Sequence, residues 1–282
     1  FNFVQLGVAH PAGLQHLMQQ RTTAVGYELI KTEDNNLPVL TAMSEIAGML
    51  LPQIAGRYLE TSSSGRGITL GGVAGIPASN VLIIGAGMVG STAALNFNGM
   101  GAKVTVLDAD LNRLRQLEFL SHKKVSTALA TPYNLERYLA FADVLIGAIL
   151  IHGKKAPHVV TEAMVKKMKK GSVIIDVSID QGGCVETSRP TTLSDPVFLK
   201  HEVIHYCVPN LPSSVARTAS HALNNVVLPF VEAVTENEWS AFEQTEALRR
   251  GVYVYRGQCA HEEMAGLFGW DFVPVENLVK AT

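Results

Sequence analysis

Short runs of aliphatic and β-branched residues recur through the middle of this chain, at residues 81–84, 104–107, 125–129, 144–149, 173–177 and 203–208. Each run is almost continuously apolar, and segments with helical periodicity separate them. A strand with one wet face would alternate apolar and polar residues, so continuous runs point to strands buried on both faces. Six such strands interleaved with helices predict an α/β fold, a doubly wound parallel sheet covered by helices on both sides. Ligands of such sheets lie over the carboxyl ends of the strands.

The flanking pattern is different. Residues 1–6, 13–20 and 24–30 read as strand, helix and strand, one further α/β unit. Apolar residues at Val39, Met43, Ile46, Leu50, Ile54 and Tyr58 form a helical stripe over 37–60, which Pro52 is expected to kink or split. The glycine-rich segment 61–79 reads as a flexible connection into the central domain. Beyond Ser214 the chain looks helical, with an apolar stretch at 223–234 and helices over 241–251 and 262–268. The expected organisation is a central domain over 41–213 and a smaller, discontinuous domain made from 1–40 and 214–282.

The first central strand runs straight into Gly85-Ala86-Gly87-Met88-Val89-Gly90, a helix-like segment follows, and the second strand ends on Asp108. Gly85 permits a tight turn, Gly87 allows a pyrophosphate to approach the backbone, and Gly90 allows the helix to pack closely. The helix start offers unpaired N–H groups to phosphates, and a carboxylate at 108 can accept from ribose hydroxyls. Strand, glycines, helix and acid in register are a dinucleotide-binding fingerprint. Asp108 followed by Ala109 favours NAD, since a 2′-phosphate would meet a negative charge. Arg113, on the next helix, either reaches the adenosine ribose or pairs on the surface.

Composition narrows the class. The chain has 282 residues, 47% hydrophobic and 17% charged, with a formal net charge of −2, which suits a globular protein and gives no sign of a nucleic-acid or membrane partner. Cys184, Cys207 and Cys259 are far apart and lack metal-ligand spacing, so no metal is expected and free thiols in a reducing, cytoplasmic setting are. The strand-like opening Phe1-Asn2-Phe3-Val4, without an initiator Met, reads as the inside of a longer product or a truncation.

Chemistry is expected at the strand ends. Asp180 is the one charged residue at the ends of the fourth to sixth strands; it could orient water and stabilise positive charge, or close the strand as an Asx-turn. Asn210, in Pro209-Asn210-Leu211-Pro212, suits either a carboxamide partner or a simple turn. Cys184 has no neighbouring His to activate it and reads as a buried structural thiol. His205 reads as a satisfied core residue, His152 and His158 as surface loop residues, and His10 as a cleft-facing or solvated one.

The string from Ile179 to Phe198, IDQGGCVETSRPTTLSDPVF, closely resembles alanine dehydrogenases, as do residues 43–48, 65–75, 147–150 and 205–225. The chain is therefore similar to the alanine dehydrogenase/pyridine nucleotide transhydrogenase family over nearly its whole length. The resemblance implies reversible, NAD-dependent deamination of L-alanine to pyruvate and ammonia by a homo-oligomer, usually a hexamer. It also implies cofactor contacts from Ser44, Met88, Val89, Asp108, Arg113, Ile149, Leu150, Val177, Ile179 and Asn210, with Asp180 as the catalytic aspartate.

Two departures follow from the same comparison. Gln5 stands where the family carries its catalytic His, and a Gln can polarise a carbonyl but cannot shuttle a proton near neutral pH. The part of the family's substrate domain that precedes this strand, with its Arg and Lys for the substrate, has no counterpart in these residues, so the smaller domain is expected to be N-terminally incomplete. Two alternatives to alanine deamination therefore arise: a catalytically silent NAD-binding homologue, and an amino-acid dehydrogenase of altered specificity.

Overall fold

The computed structural model describes residues 1–2, 11–150 and 156–280. The expected strand over 1–6 is described only at its first two residues, and Gln5, His10, His152, Lys154 and Lys155 lie outside the described residues. In chain order the elements begin with α1 (Pro11–Gln19), β1 (Ala24–Val25) and α2 (Pro38–Leu59). There follow β2 (Asn80–Ile84), α3 (Met88–Gly99), β3 (Lys103–Asp108), α4 (Leu111–Leu120), β4 (Ser126–Leu129), α5 (Pro132–Leu139) and β5 (Val144–Gly147). Next come α6 (Glu162–Val165), β6 (Val173–Asp176), β7 (Val197–Lys200), β8 (Val203–Tyr206) and α7 (Ala216–Asn237). The chain ends with α8 (Ala241–Gln244), α9 (Glu246–Arg250), β9 (Val252–Tyr255), β10 (Gln258–Cys259), α10 (Glu262–Phe268) and α11 (Val275–Val279).

Two compact units emerge, one from Phe1–Met43 with Arg217–Thr282 and the other from Ser44–Ala216. In the second unit the described strands form one sheet in the order β4-β3-β2-β5-β6-β8-β7. Six run parallel, with Val81 beside both Val104 and Val144, and Val173 beside both Val144 and Ile204. The order reverses direction at β2, as in a doubly wound sheet. Every residue of β5, β6 and β8 is buried, whereas the outer strands β4 and β7 are largely half-exposed, which is why the inner strands read as unbroken apolar runs.

The seventh strand, β7, pairs antiparallel with β8 and was not expected. Its turn is His201-Glu202, both at positive φ (54° and 59°), the two-residue geometry that sequence normally announces with Asn or Gly. Three other expectations are corrected. Segment 61–79 is not a loose connection: Gly67 N–H donates to Leu59 O at 2.7 Å, Ser79 N–H to Leu70 O at 3.0 Å, and Arg66 Nε pairs with Asp143 at 3.1 Å. Pro52 does not split its helix, for α2 runs through it. Gly48, whose carbonyl loses its partner to that proline, lies against α3, and a Cβ there would sit 2.8 Å from Val89 O. The helix is long and apolar enough to cross a bilayer, yet Leu50, Leu51, Ala55 and Leu59 are buried within the protein.

The first unit carries the third correction. Its strand at 24–30 shortens to Ala24–Val25, after which a 3-10 turn begins at Tyr27. A Cβ on Gly26 would meet the Tyr253 ring at 2.3 Å, so the chain turns there against an aromatic wall. The tail is helical at the expected places, in α7 to α10, and between α9 and α10 it adds β9 and β10, joined by Arg256-Gly257 at φ 47° and 87°; β9 also pairs antiparallel with β1. One hydrophobic cluster of this unit packs Val25, Phe242, Leu248 and Tyr255; another holds Leu14, Tyr253, Val254 and Met264.

His205 is fully buried on β8, stacked 4.9 Å from the Phe198 ring. Its Nδ1 lies 3.0 Å from the Val203 carbonyl and its Nε2 2.7 Å from Thr187 Oγ1. A carbonyl only accepts, so Nδ1–H donates and Nε2 accepts from the hydroxyl, which is the neutral ring. Burial lowers its pKa to about 4. The folded pKa lies below the unfolded value near 6.5, so the unfolded chain takes up the proton first. Stability is therefore full above about pH 6.5 and falls as pH drops toward 4, by about 3 kcal/mol at most. Denaturant titrations between pH 7 and pH 4 should show this slope in wild type and a flatter one in His205→Gln; equal slopes would refute it.

Candidate functional site

The carboxyl edge of the parallel sheet gathers the candidate residues of the second unit. Gly85 takes φ +105°, and a Cβ there would stand 2.4 Å from Ala148 O. A Cβ on Gly90 would stand 1.8 Å from Gly85 O, so only two glycines let α3 start this close to the strand. Gly87 differs: its backbone is ordinary (φ −74°), and nothing among the described residues lies within 4 Å of a Cβ built on it. The space is open on the side where the helix begins.

Gly87 is also the N-cap of α3, and no side chain caps it, whereas α4, α5 and α6 are capped by Asp110, Thr131 and Thr161. The first N–H groups of α3 are thus left for an external acceptor, with the positive end of the helix dipole behind them. Met88 is exposed and Val89 half-buried on that first turn. Ser44 is half-buried on α2, one turn before the Gly48 contact with α3.

Asp108, 9% exposed at the end of β3, accepts from Ala86 N–H at 2.6 Å and Asp110 N–H at 2.8 Å. One carboxylate therefore ties the glycine turn to the next loop and is held in a single orientation, with lone pairs remaining for further donors. Beside it lies a shallow depression lined by Asp108, Asp110, Asn112, Arg113 and Arg115. Arg113 pairs there with Asp110 at 3.8 Å. An exposed pair of that length holds the guanidinium only weakly.

The ends of β5, β6 and β8 complete the edge. Ile149, half-buried after β5, donates its N–H to Ser178 Oγ at 3.0 Å; Leu150 beside it is exposed. After β6 a 3-10 turn, Val177–Gln181, presents half-buried Val177, buried Ile179 and exposed Asp180. The Asp180 carboxylate accepts Asn210 N–H at 3.1 Å from the loop after β8. Protein packed around its base raises the Asp180 pKa, and the Asn210 N–H pulls it back. Asn210 takes the left-handed conformation (φ 51°, ψ 54°), and its carbonyl accepts from Ser213 N–H at 2.9 Å. Its backbone thus makes the turn and its exposed side chain is not needed for it. A continuous row runs along the edge: Gly85 against Ala148, Ile149 to Ser178, Asp180 to Asn210.

The Asx-turn considered for Asp180 belongs instead to Asp176, which sequence reasoning missed. Asp176 is 1% exposed and accepts from the N–H groups of Ser178 (3.1 Å), Cys184 (3.0 Å) and Val185 (3.1 Å). The available signal was an acid ending the apolar run Val173-Ile174-Ile175. Cys184 is fully buried with Sγ 3.5 Å from Asp176, and burial beside that carboxylate pushes its thiol pKa well up, the behaviour of an inert thiol. Of the residues expected to carry catalysis or hold the cofactor, only Gln5 lies outside the described part.

Comparison with known proteins places this geometry. The family model "Alanine dehydrogenase/PNT, C-terminal domain" matches residues 52–262. An alanine dehydrogenase of Staphylococcus haemolyticus is 42% identical over 281 residues, 99% of this chain and 75% of that protein. Alanine dehydrogenase 2 of Staphylococcus aureus strain USA300 is 41% identical, over 99% of this chain and 76% of its own. A solved L-alanine dehydrogenase superposes with a TM-score of 0.90 at 39% identity, covering 94% of this chain and 73% of the other. The transhydrogenase of Sinorhizobium meliloti shares the fold, with a TM-score of 0.77 at 21% identity over 93% of this chain and 73% of its own.

Proposed function

This chain belongs to the alanine dehydrogenase/PNT family, and from that premise we propose that it catalyses reversible, NAD-dependent deamination of L-alanine to pyruvate and ammonia. One observation supports this above the rest: Asp180, at the end of β6, is joined at 3.1 Å to Asn210 from the end of β8, on the same sheet edge as the glycine turn. In this reading the uncapped start of α3 holds the pyrophosphate and open Gly87 lets it approach. Asp108 accepts from the ribose hydroxyls; its negative charge selects NAD over NADP. Ser44, Met88, Val89, Arg113, Ile149, Leu150, Val177 and Ile179 line the cofactor, and Asn210 offers its amide to the carboxamide. Bound NAD supplies the hydride acceptor.

Asp180 then orients the attacking or leaving water and stabilises the positive charge of the iminium. Gln5 polarises the substrate carbonyl as a hydrogen-bond donor. A homohexamer is proposed with this activity, and its mass in solution checks that separately. The assay is NADH consumption with pyruvate and ammonia, followed by absorbance. Turnover with pyruvate, and little with NADPH, is expected; no turnover with any keto acid would overturn the enzymatic reading.

Gln5 motivates a second reading, an NAD-binding homologue without turnover. Calorimetry separates the two. The silent protein would bind NADH with no effect of pyruvate on that binding, while the enzyme would show coupling between them.

A further inference from the structure

Asp176 holds more of the candidate site than any residue named for chemistry. The eight-residue loop from Val177 to Cys184 leaves β6 and must return to the sheet edge, and Asp176 closes it at both ends. Its carboxylate takes Ser178 N–H at the start of the loop and Cys184 and Val185 N–H at its finish. The Cys184 thiol lies 3.5 Å away. Two glycines make room: a Cβ on Gly147 would come 3.0 Å from Asp176 Oδ1, and one on Gly183 2.9 Å from Oδ2. Gly182 and Gly183 (φ 95° and 82°) bend the chain back toward the carboxylate.

Everything the loop presents depends on that closure. Ser178, fixed by its own N–H, offers Oγ to Ile149 N–H at 3.0 Å and so places the loop after β5. Asp180, two residues further, meets Asn210 N–H and so places the loop after β8. A buried carboxylate accepting several N–H groups is an orienting device for the backbone around it. Burial raises the Asp176 pKa while the Cys184 and Val185 N–H groups oppose the shift.

We propose that Asp176 is a positioning residue: its carboxylate clamps the 177–184 loop and thereby sets Asp180 and the two adjoining strand-end loops in register for hydride-transfer chemistry. This rests on the dehydrogenase reading above. Asp176 touches no reacting atom; it acts through Asp180. Position matters because a displacement of about 1 Å in a catalytic group can cost on the order of 10² in rate.

The test compares full-length wild type, Asp176→Asn and Asp176→Glu. Asn keeps the shape but turns an NH2 donor toward backbone donors; Glu keeps the charge and lengthens the arm. Each folded variant is expected to lose kcat by about 10²-fold, with the KM for pyruvate changed far less. Cys184 gives an independent readout. All three cysteines are buried, so folded wild type should react slowly with a thiol reagent, and a clamp-loosened variant should gain one fast thiol that Cys184→Ala in the same background removes. A wild type without turnover would overturn the dehydrogenase reading while the thiol readout still decides the clamp. Wild-type kcat in a folded variant, or a Cys184 that stays shielded, overturns the clamp. Failure of both variants to fold would also overturn it, in favour of a purely architectural carboxylate.

Discussion

Asp180→Asn is expected to lower kcat for NADH-dependent amination of pyruvate by about 10²–10⁴ while NADH still binds. The substitution keeps an oxygen to accept the Asn210 N–H, seen at 3.1 Å, so the geometry of the loop survives. On the function proposed above, what disappears is the negative charge beside the reacting carbon and the ability to hold a proton. The acid side of the pH–rate profile adds a second readout. Packing raises the Asp180 pKa from the ordinary aspartate value, and the ionised form is the one that stabilises an iminium. Wild-type rate should therefore fall as pH drops through that raised value, at a higher pH than an unperturbed aspartate would give. The variant should lack this limb. A kcat within about threefold of wild type would remove Asp180 from the chemistry.

The second large effect separates two glycines three residues apart. Gly87→Ala meets no described neighbour within 4 Å and no positive φ, so the fold should hold to within about 1 kcal/mol. Its new methyl group would occupy the space through which a pyrophosphate approaches the start of α3. NADH affinity should fall on the order of 10²-fold, about 2.7 kcal/mol. Gly90→Ala behaves in the opposite way, because its Cβ would stand 1.8 Å from the Gly85 carbonyl oxygen, and backbone cannot step aside. It should be destabilised by at least about 3 kcal/mol. Thermal unfolding and fluorescence titration on both variants distinguish these outcomes. A Gly87→Ala protein that binds NADH normally would contradict the phosphate assignment.

The inner sheet was legible because burial on both faces leaves its mark on every residue of β5, β6 and β8. The edges were less so. Strand β7 is half-exposed and turns on His201-Glu202, residues that carry no turn signal of their own. Hairpin β9–β10 did carry one, in Val252-Tyr253-Val254-Tyr255 before Arg256-Gly257, and was overlooked among helical neighbours. Strand ends were overestimated at 148–149 and 207–208 because apolar character continues past the last ladder bond. The loops that hold the candidate site begin there.

From sequence alone came the parallel sheet, the glycine turn, the acid at 108 and the family, since each depends on local spacing or on burial that repeats along one strand. Tertiary structure alone decided that Asp180 meets Asn210 across 30 residues, that Asp176 rather than Asp180 closes the loop, and that Gly87 faces open space while Gly90 does not. Those relations join segments distant in the chain. A carboxylate's partners depend on which backbone N–H groups the sheet order brings within about 3 Å, and no local pattern of residues encodes that.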